Sequence, residues 1–285
     1  MSSSSQVAFQ RILIPLDLSL NSLAALPFAV SMAGRYGAKL LITHFVQDSE
    51  DQQTDTSARS VATERMRHLL DAAGDLSHEV VIEPGGIVQR LPALIARTGT
   101  DLLVLGTHGS HGLEKLVRGS MAQEIMCSCQ IPALAVGAHV AREAGFKRIL
   151  YATDFSAASE PAFLCAISVA ARFGASIAFL HVNEPNGLEP PIAAEARTLE
   201  FFERHLSELN VHSINLHRDV LVKFGARADQ ILEVARSRES DLIVLGMHCK
   251  HGLMARLAAH LPGPISYAVT AEAPCPVLAV PSTNH

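Results

Sequence analysis

Residues 106–120 read Gly-Thr-His-Gly-Ser-His-Gly-Leu-Glu-Lys-Leu-Val-Arg-Gly-Ser. Gly106, Gly109 and Gly119 therefore fall as G-x2-G-x9-G, with Ser120 directly after. This pattern suits the holding of phosphate. Glycines let backbone N–H groups approach an anion with no Cβ in the way. A helix starting at Ser120 adds N–H groups with no intrahelical partner, a favourable dipole and a hydroxyl. The glycines alone fit a pair of tight turns with a serine N-cap equally well. Two neighbours favour the cradle. The motif follows the apolar run Leu102–Leu105, and a carboxylate, Asp17, follows a second apolar run, Ile12–Leu16, in a Pro15-x-Asp17 pattern.

The elements that must position these residues occur twice. Arg11 opens RILIPLDLS and Arg148 opens RILYATDFS, 137 residues later, with five of nine positions matching. Asp101 opens DLLVLGTHGSHGL and Asp241 opens DLIVLGMHCKHGL, matching at nine of thirteen. IPALAV from Ile131 is echoed by CPVLAV from Cys275. Three blocks in one order indicate a tandem duplication, with a seam in residues 139–145 and domains at 1–141 and 142–285.

Within each copy, short apolar runs alternate with helical patterns. In the first, strands are expected at Ile12–Leu16, Lys39–Val46, His78–Ile82, Leu102–Leu105 and Ala133–Val136. A helix ends at Gly37, others cover Ile87–Arg97 and begin at Gly119, and the later part of Asp48–Asp75 has helical spacing. Pro27 inside the first helix should kink it or delay its start. The alternation predicts an α/β fold of two tandem, doubly wound, five-stranded parallel-sheet domains. Ligands of such sheets sit beyond the carboxyl ends of the strands, where the strand order reverses. Asp17 and Gly106 are placed there.

Composition narrows the function classes. The 285 residues are 48% hydrophobic and 18% charged, which excludes disorder as the main state. A net charge of −5 without a basic run argues against nucleic acid as a partner. No apolar run reaches the roughly 18 residues of a membrane span, and Met1–Arg11 lacks the pattern of a secretory leader. A cytoplasmic protein is expected, and five cysteines without a CxxC pair fit a reducing compartment. His108 and His111, repeated as His248 and His251, lack the further ligands a zinc site needs. Cys127, Cys129, Cys165 and Cys275 are expected to be buried, inert thiols, and Cys249 is the one cysteine whose reactivity invites a test. No nucleophile elbow, Walker loop or dinucleotide fingerprint is present. No base stands beside a nucleophile, so no catalytic residue is assigned.

The Pro15-x-Asp17 pattern, the Gly106–Ser120 motif and the duplication together resemble a tandem universal stress protein, across nearly the whole chain. The resemblance implies Rossmann-type domains like those of the adenine nucleotide alpha hydrolases, and ATP as ligand. Pro15 would belong to the binding site as part of the intact pattern, Asp17 would meet the adenosine and Phe45 would border the adenine. Gly106 and Gly109 would hold the ribose and first phosphates, Gly119 and Ser120 the distal phosphates, with Met121 in the place of a usual valine. It implies a divalent metal, Mg2+ or Mn2+, bridging the phosphates without a protein ligand that can be named. It also implies a protein partner of unknown identity and pairing of Ala133–Val136 with Val277–Val280 as a pseudo-dimer within the chain. Further homodimerisation is compatible with it.

The second copy departs from the motif. Asp154 and Gly246 remain, but Ala152 replaces the proline and Cys249 stands where Gly109 does. Thirteen residues, not nine, separate Cys249 from Gly263, and Pro264 replaces the serine. Each change removes part of a phosphate cradle, so one nucleotide site and one degenerate twin are expected. The alternatives are a non-nucleotide scaffold or ligand-binding protein, and a weak ATPase or self-phosphorylating enzyme.

Overall fold

The computed structural model describes residues 7–46, 64, 66, 76–106, 120–137, 140, 144–156, 159–183, 190–208, 218–247 and 265–282. The chain divides into two compact units, residues 9–144 and residues 145–285. Val7 and Ala8 group with the second unit, where the Ser168 hydroxyl donates to the Val7 carbonyl at 2.5 Å.

In the first unit, β1 (Arg11–Pro15) is followed by α1 (Leu20–Leu23), α2 (Leu26–Tyr36), β2 (Lys39–Val46) and β3 (His78–Pro84). Then come α3 (Ile87–Thr98), β4 (Leu102–Gly106), α4 (Ser120–Cys129) and β5 (Ala133–Val136). The strands lie in the order β3-β2-β1-β4-β5, each pair parallel. The chain thus runs outward one way from β1 and returns to the other side at β4, which opens a crevice at the carboxyl ends of those two strands. Residues 12–15 of β1 and all of β4 are buried, as central parallel strands covered on both faces require.

Pro27 acts as expected. It sits in the first turn of α2, where its missing N–H is no loss, and the chain before it makes only the single turn of α1. Gly37 closes α2 in the left-handed region (φ 66°), a conformation that costs glycine nothing. Expected strands are met within a residue or two, with β1 ending at Pro15 and β3 running on to Pro84. Of the segment 48–75, only Glu64 and Met66 are among the described residues, both helical.

The second unit repeats this plan. It comprises β6 (Arg148–Thr153), α5 (Ser159–Phe173), β7 (Ser176–Asn183), α6 (Pro191–Glu208), β8 (Arg218–Phe224), α7 (Arg227–Ser237), β9 (Leu242–Met247), α8 (Ile265–Glu272) and β10 (Val277–Pro281). The strand order is β8-β7-β6-β9-β10, again all parallel. Its core holds an aromatic cluster, with Tyr151, Phe163, Phe179 and Phe202 all buried.

The aspartates that open the two long repeated blocks have a structural role. Asp101, just before β4, accepts from the backbone N–H groups of Gln10 and Arg11 at 2.8 and 3.0 Å. Asp241 accepts likewise from Lys147 and Arg148. Each carboxylate fastens the start of the first strand to the start of the fourth. Replacing Asp101 by alanine leaves two N–H groups without this acceptor, and we expect a loss of about 2 kcal/mol of unfolding free energy. Urea titration of the full chain measures it, and an unchanged midpoint would contradict the role.

Candidate functional site

The crevice of the first unit is built from the loop after β1 and the end of β4. Asp17 makes an Asx turn, its Oδ1 accepting from the Ser19 N–H at 2.9 Å. That turn carries Leu18 into the left-handed region, φ 64°, which is uncommon for a branched residue. The second unit builds the same loop. Asp154 Oδ1 accepts from the Ser156 N–H at 3.0 Å, and Phe155 has φ 62°. Below the loops, His44 donates from Nδ1 to the Leu16 carbonyl at 2.7 Å, and His181 does the same to Thr153 at 2.9 Å. A carbonyl can only accept, so Nδ1 carries a proton in both rings.

Asp17 is half-buried. Burial pushes its carboxyl up, but bonds from Ser19 and Ser22 outweigh this and hold it below the ordinary carboxylate value. A folded-state value below the unfolded one stabilises the fold above the ordinary carboxylate range. That stabilisation is lost as the pH falls through the lowered value. D17N should therefore lose less stability than the parent chain on acidification below about pH 4. Identical acid limbs in the two unfolding curves would contradict this.

The structure places the expected site residues as follows. Pro15 ends β1, buried, and Asp17 stands two residues beyond it. Phe45 is the penultimate residue of β2, half-buried. Gly106 is the last residue of β4, the strand beside β1. Ser120 and Met121 open α4. Asp17 and Gly106 thus leave neighbouring strands at the crevice. Gly109 and Gly119 lie outside the described residues, as do His108, His111, His248, His251, Cys249, Gly263 and Pro264.

Register adds a residue that sequence reasoning missed. Pro15 is paired with Thr43, and Thr43 with Val81, so these three side chains share one face of the sheet. Phe45 lies on that face one pleat further on. Thr43 is fully buried, and its hydroxyl has no hydrogen-bond partner among the described residues. An orphaned buried hydroxyl beside Pro15 fits a crevice that receives a polar ligand. No sequence signal marks it, because a threonine in a strand is ordinary.

Three cysteines behave as expected. Cys129, Cys165 and Cys275 are buried and free, with burial pushing their thiols up to about 11, 12 and 12. Cys127 corrects the expectation, for it is disulfide-bonded. Residues two apart on a helix point to different sides, so Cys127 and Cys129 meet different surroundings. Among the described residues no group of three or more His, Cys, Asp or Glu side chains could hold a metal ion, and no helix is long and apolar enough to cross a membrane.

Comparison with known proteins agrees with the duplicated fold. The model of the universal stress protein family matches twice, over residues 8–137 and 145–281. The universal stress protein in the QAH/OAS sulfhydrylase 3′ region of Thermus aquaticus is 37% identical over 139 residues, which is 47% of this chain and 98% of that one. Universal stress protein A homolog 1 of Coxiella burnetii is 28% identical over 144 residues, 45% of this chain and 96% of that one. A universal stress protein structure from Archaeoglobus fulgidus covers 96% of this chain with 98% of its own, with a TM-score of 0.76 at 20% identity. The chain belongs to the universal stress protein family, as two copies of its domain in tandem.

Proposed function

We propose that the first unit binds ATP and that the chain is a regulatory, stress-response module working by occupancy of that site. One observation carries the reading. The G-x2-G-x9-G-S run begins at the last residue of β4, and the Pro15-x-Asp17 pattern ends β1, the strand beside it. Two strands that flank a reversal of strand order thus carry the first glycine of the motif and an ionised carboxylate to one crevice. Phe45 and Pro15 offer apolar surface for a base, Asp17 an acceptor for the nucleoside, and Gly106, Gly109, Gly119 and Ser120 the phosphate donors. Mg2+ or Mn2+ would accompany the phosphates and neutralise part of their charge.

Nothing in the sequence supplies a base beside a nucleophile, so the site retains its nucleotide and presents the loaded state to a protein partner. The second unit keeps Asp154 and Gly246, but Cys249 and Pro264 deprive it of two parts of the cradle. It serves the fold rather than a second ATP. Calorimetric titration of the full chain with Mg-ATP should show saturable binding, and phosphate release should stay at the background rate. No binding heat and no rise in unfolding midpoint with Mg-ATP would sink the proposal. Steady phosphate release would replace it with an enzyme.

A further inference from the structure

Thr43 has no role in the motif, yet it is the cross-strand neighbour of Pro15, one of the candidate site residues. Register puts its side chain beside Pro15 and on the same sheet face as Phe45. Its own carbonyl accepts from the Leu16 N–H at 2.8 Å, one residue before Asp17. The residue is fully buried, and the hydroxyl has no partner among the described residues. The second unit provides the comparison. Ala152 pairs with Leu180 there in the same register, and Leu180 is fully buried too. The position thus accepts an apolar side chain where the glycine motif is degenerate, and carries a hydroxyl only in the copy whose motif is intact. A buried hydroxyl with nothing to bond destabilises the empty protein, so its presence calls for a partner that arrives from outside.

We infer that Thr43 is a specificity-determining residue of the first unit, its hydroxyl hydrogen-bonding the nucleoside part of the bound nucleotide. The inference rests on the ATP reading above. The nucleoside, rather than the phosphates, is the partner because Thr43 shares its face with Pro15 and Phe45, on the β1–β2 side of the crevice. The phosphate motif leaves from β4, on the other side of β1.

The test uses the full chain and three variants of one position: Thr43, T43V and T43S. Valine keeps the shape and removes the hydroxyl, and serine keeps the hydroxyl. T43V should weaken ATP and adenosine by the same factor, about tenfold, and T43S should restore both. Without ligand, T43V should unfold at the same or a higher temperature than the parent, because an orphaned polar group has been removed. Unchanged affinities in T43V would overturn the inference. So would a lower midpoint of empty T43V, since it would show the hydroxyl already bonded, for instance to a structural water. Loss of ATP affinity alone, with adenosine unaffected, would overturn the assignment to the nucleoside. If the parent chain binds neither compound, the ATP reading itself fails and this inference falls with it. That outcome is distinct from binding that ignores Thr43.

Discussion

Replacing Gly119 by valine should abolish ATP binding, with affinity falling more than a hundredfold, while the far-UV circular dichroism of the chain is unchanged. Gly119 stands immediately before Ser120, the first residue of α4. In the proposed site the backbone at this point would bring N–H groups to an anion at the start of a helix. A branched side chain puts bulk where the phosphates approach and restricts the backbone to conformations a β-branched residue tolerates. Several charge-assisted bonds are lost at once, each contributing about 1.5–3 kcal/mol, so the combined effect exceeds two decades. Adenosine, which has no phosphates, should be affected little. Equal ATP affinity in the variant and the parent would remove this loop from the account, and equal loss for ATP and adenosine would show general damage instead.

The second large effect is expected at Asp17. D17N keeps the size of the side chain and an oxygen for the Ser19 N–H, but removes the charge. Bonds from Ser19 and Ser22 hold the Asp17 carboxyl ionised below its ordinary range, so the parent presents a carboxylate throughout the neutral region. Loss of one charge-assisted bond to the nucleoside is worth about 2 kcal/mol, or roughly thirtyfold in affinity for both ATP and adenosine. The duplicated fold supplies a control. Asp154 makes the same Asx turn in the second unit, so D154N repeats the chemical change where the cradle is degenerate, and ATP affinity should not move. Comparable weakening by both substitutions, or by neither, would contradict the assignment.

Much of the architecture was legible in the residues. The apolar runs at 12–16 and 102–105 are continuous because those strands are covered on both faces, and the duplication supplied a second reading of the first, fourth and fifth strands. Pro27 pointed to a kinked or delayed helix, and α2 starts one residue before it, whereas Pro92 is carried inside α3. Of the candidate site, the sequence carries the spacing of Gly106–Ser120 and Pro15-x-Asp17, and the structure adds that Gly106 and Asp17 follow neighbouring strands. The site was illegible where a role depends on what a side chain lacks or meets in space. Thr43 stands out only through its missing partner and its register with Pro15. Asp101 and Asp241 were visible as repeated letters, but their bonds span 90 residues or more. The matched His44 and His181 bonds join residues 28 apart. Cys127 and Cys129 look alike in sequence and differ in the fold.

The central claim is that the two copies are unequal, one holding nucleotide and the other not. Native mass spectrometry of the full chain saturated with Mg-ATP counts bound nucleotides directly. About one ATP per chain is expected, lost in G119V and retained when Cys249 is replaced by alanine. Two nucleotides per chain, or none, would contradict it.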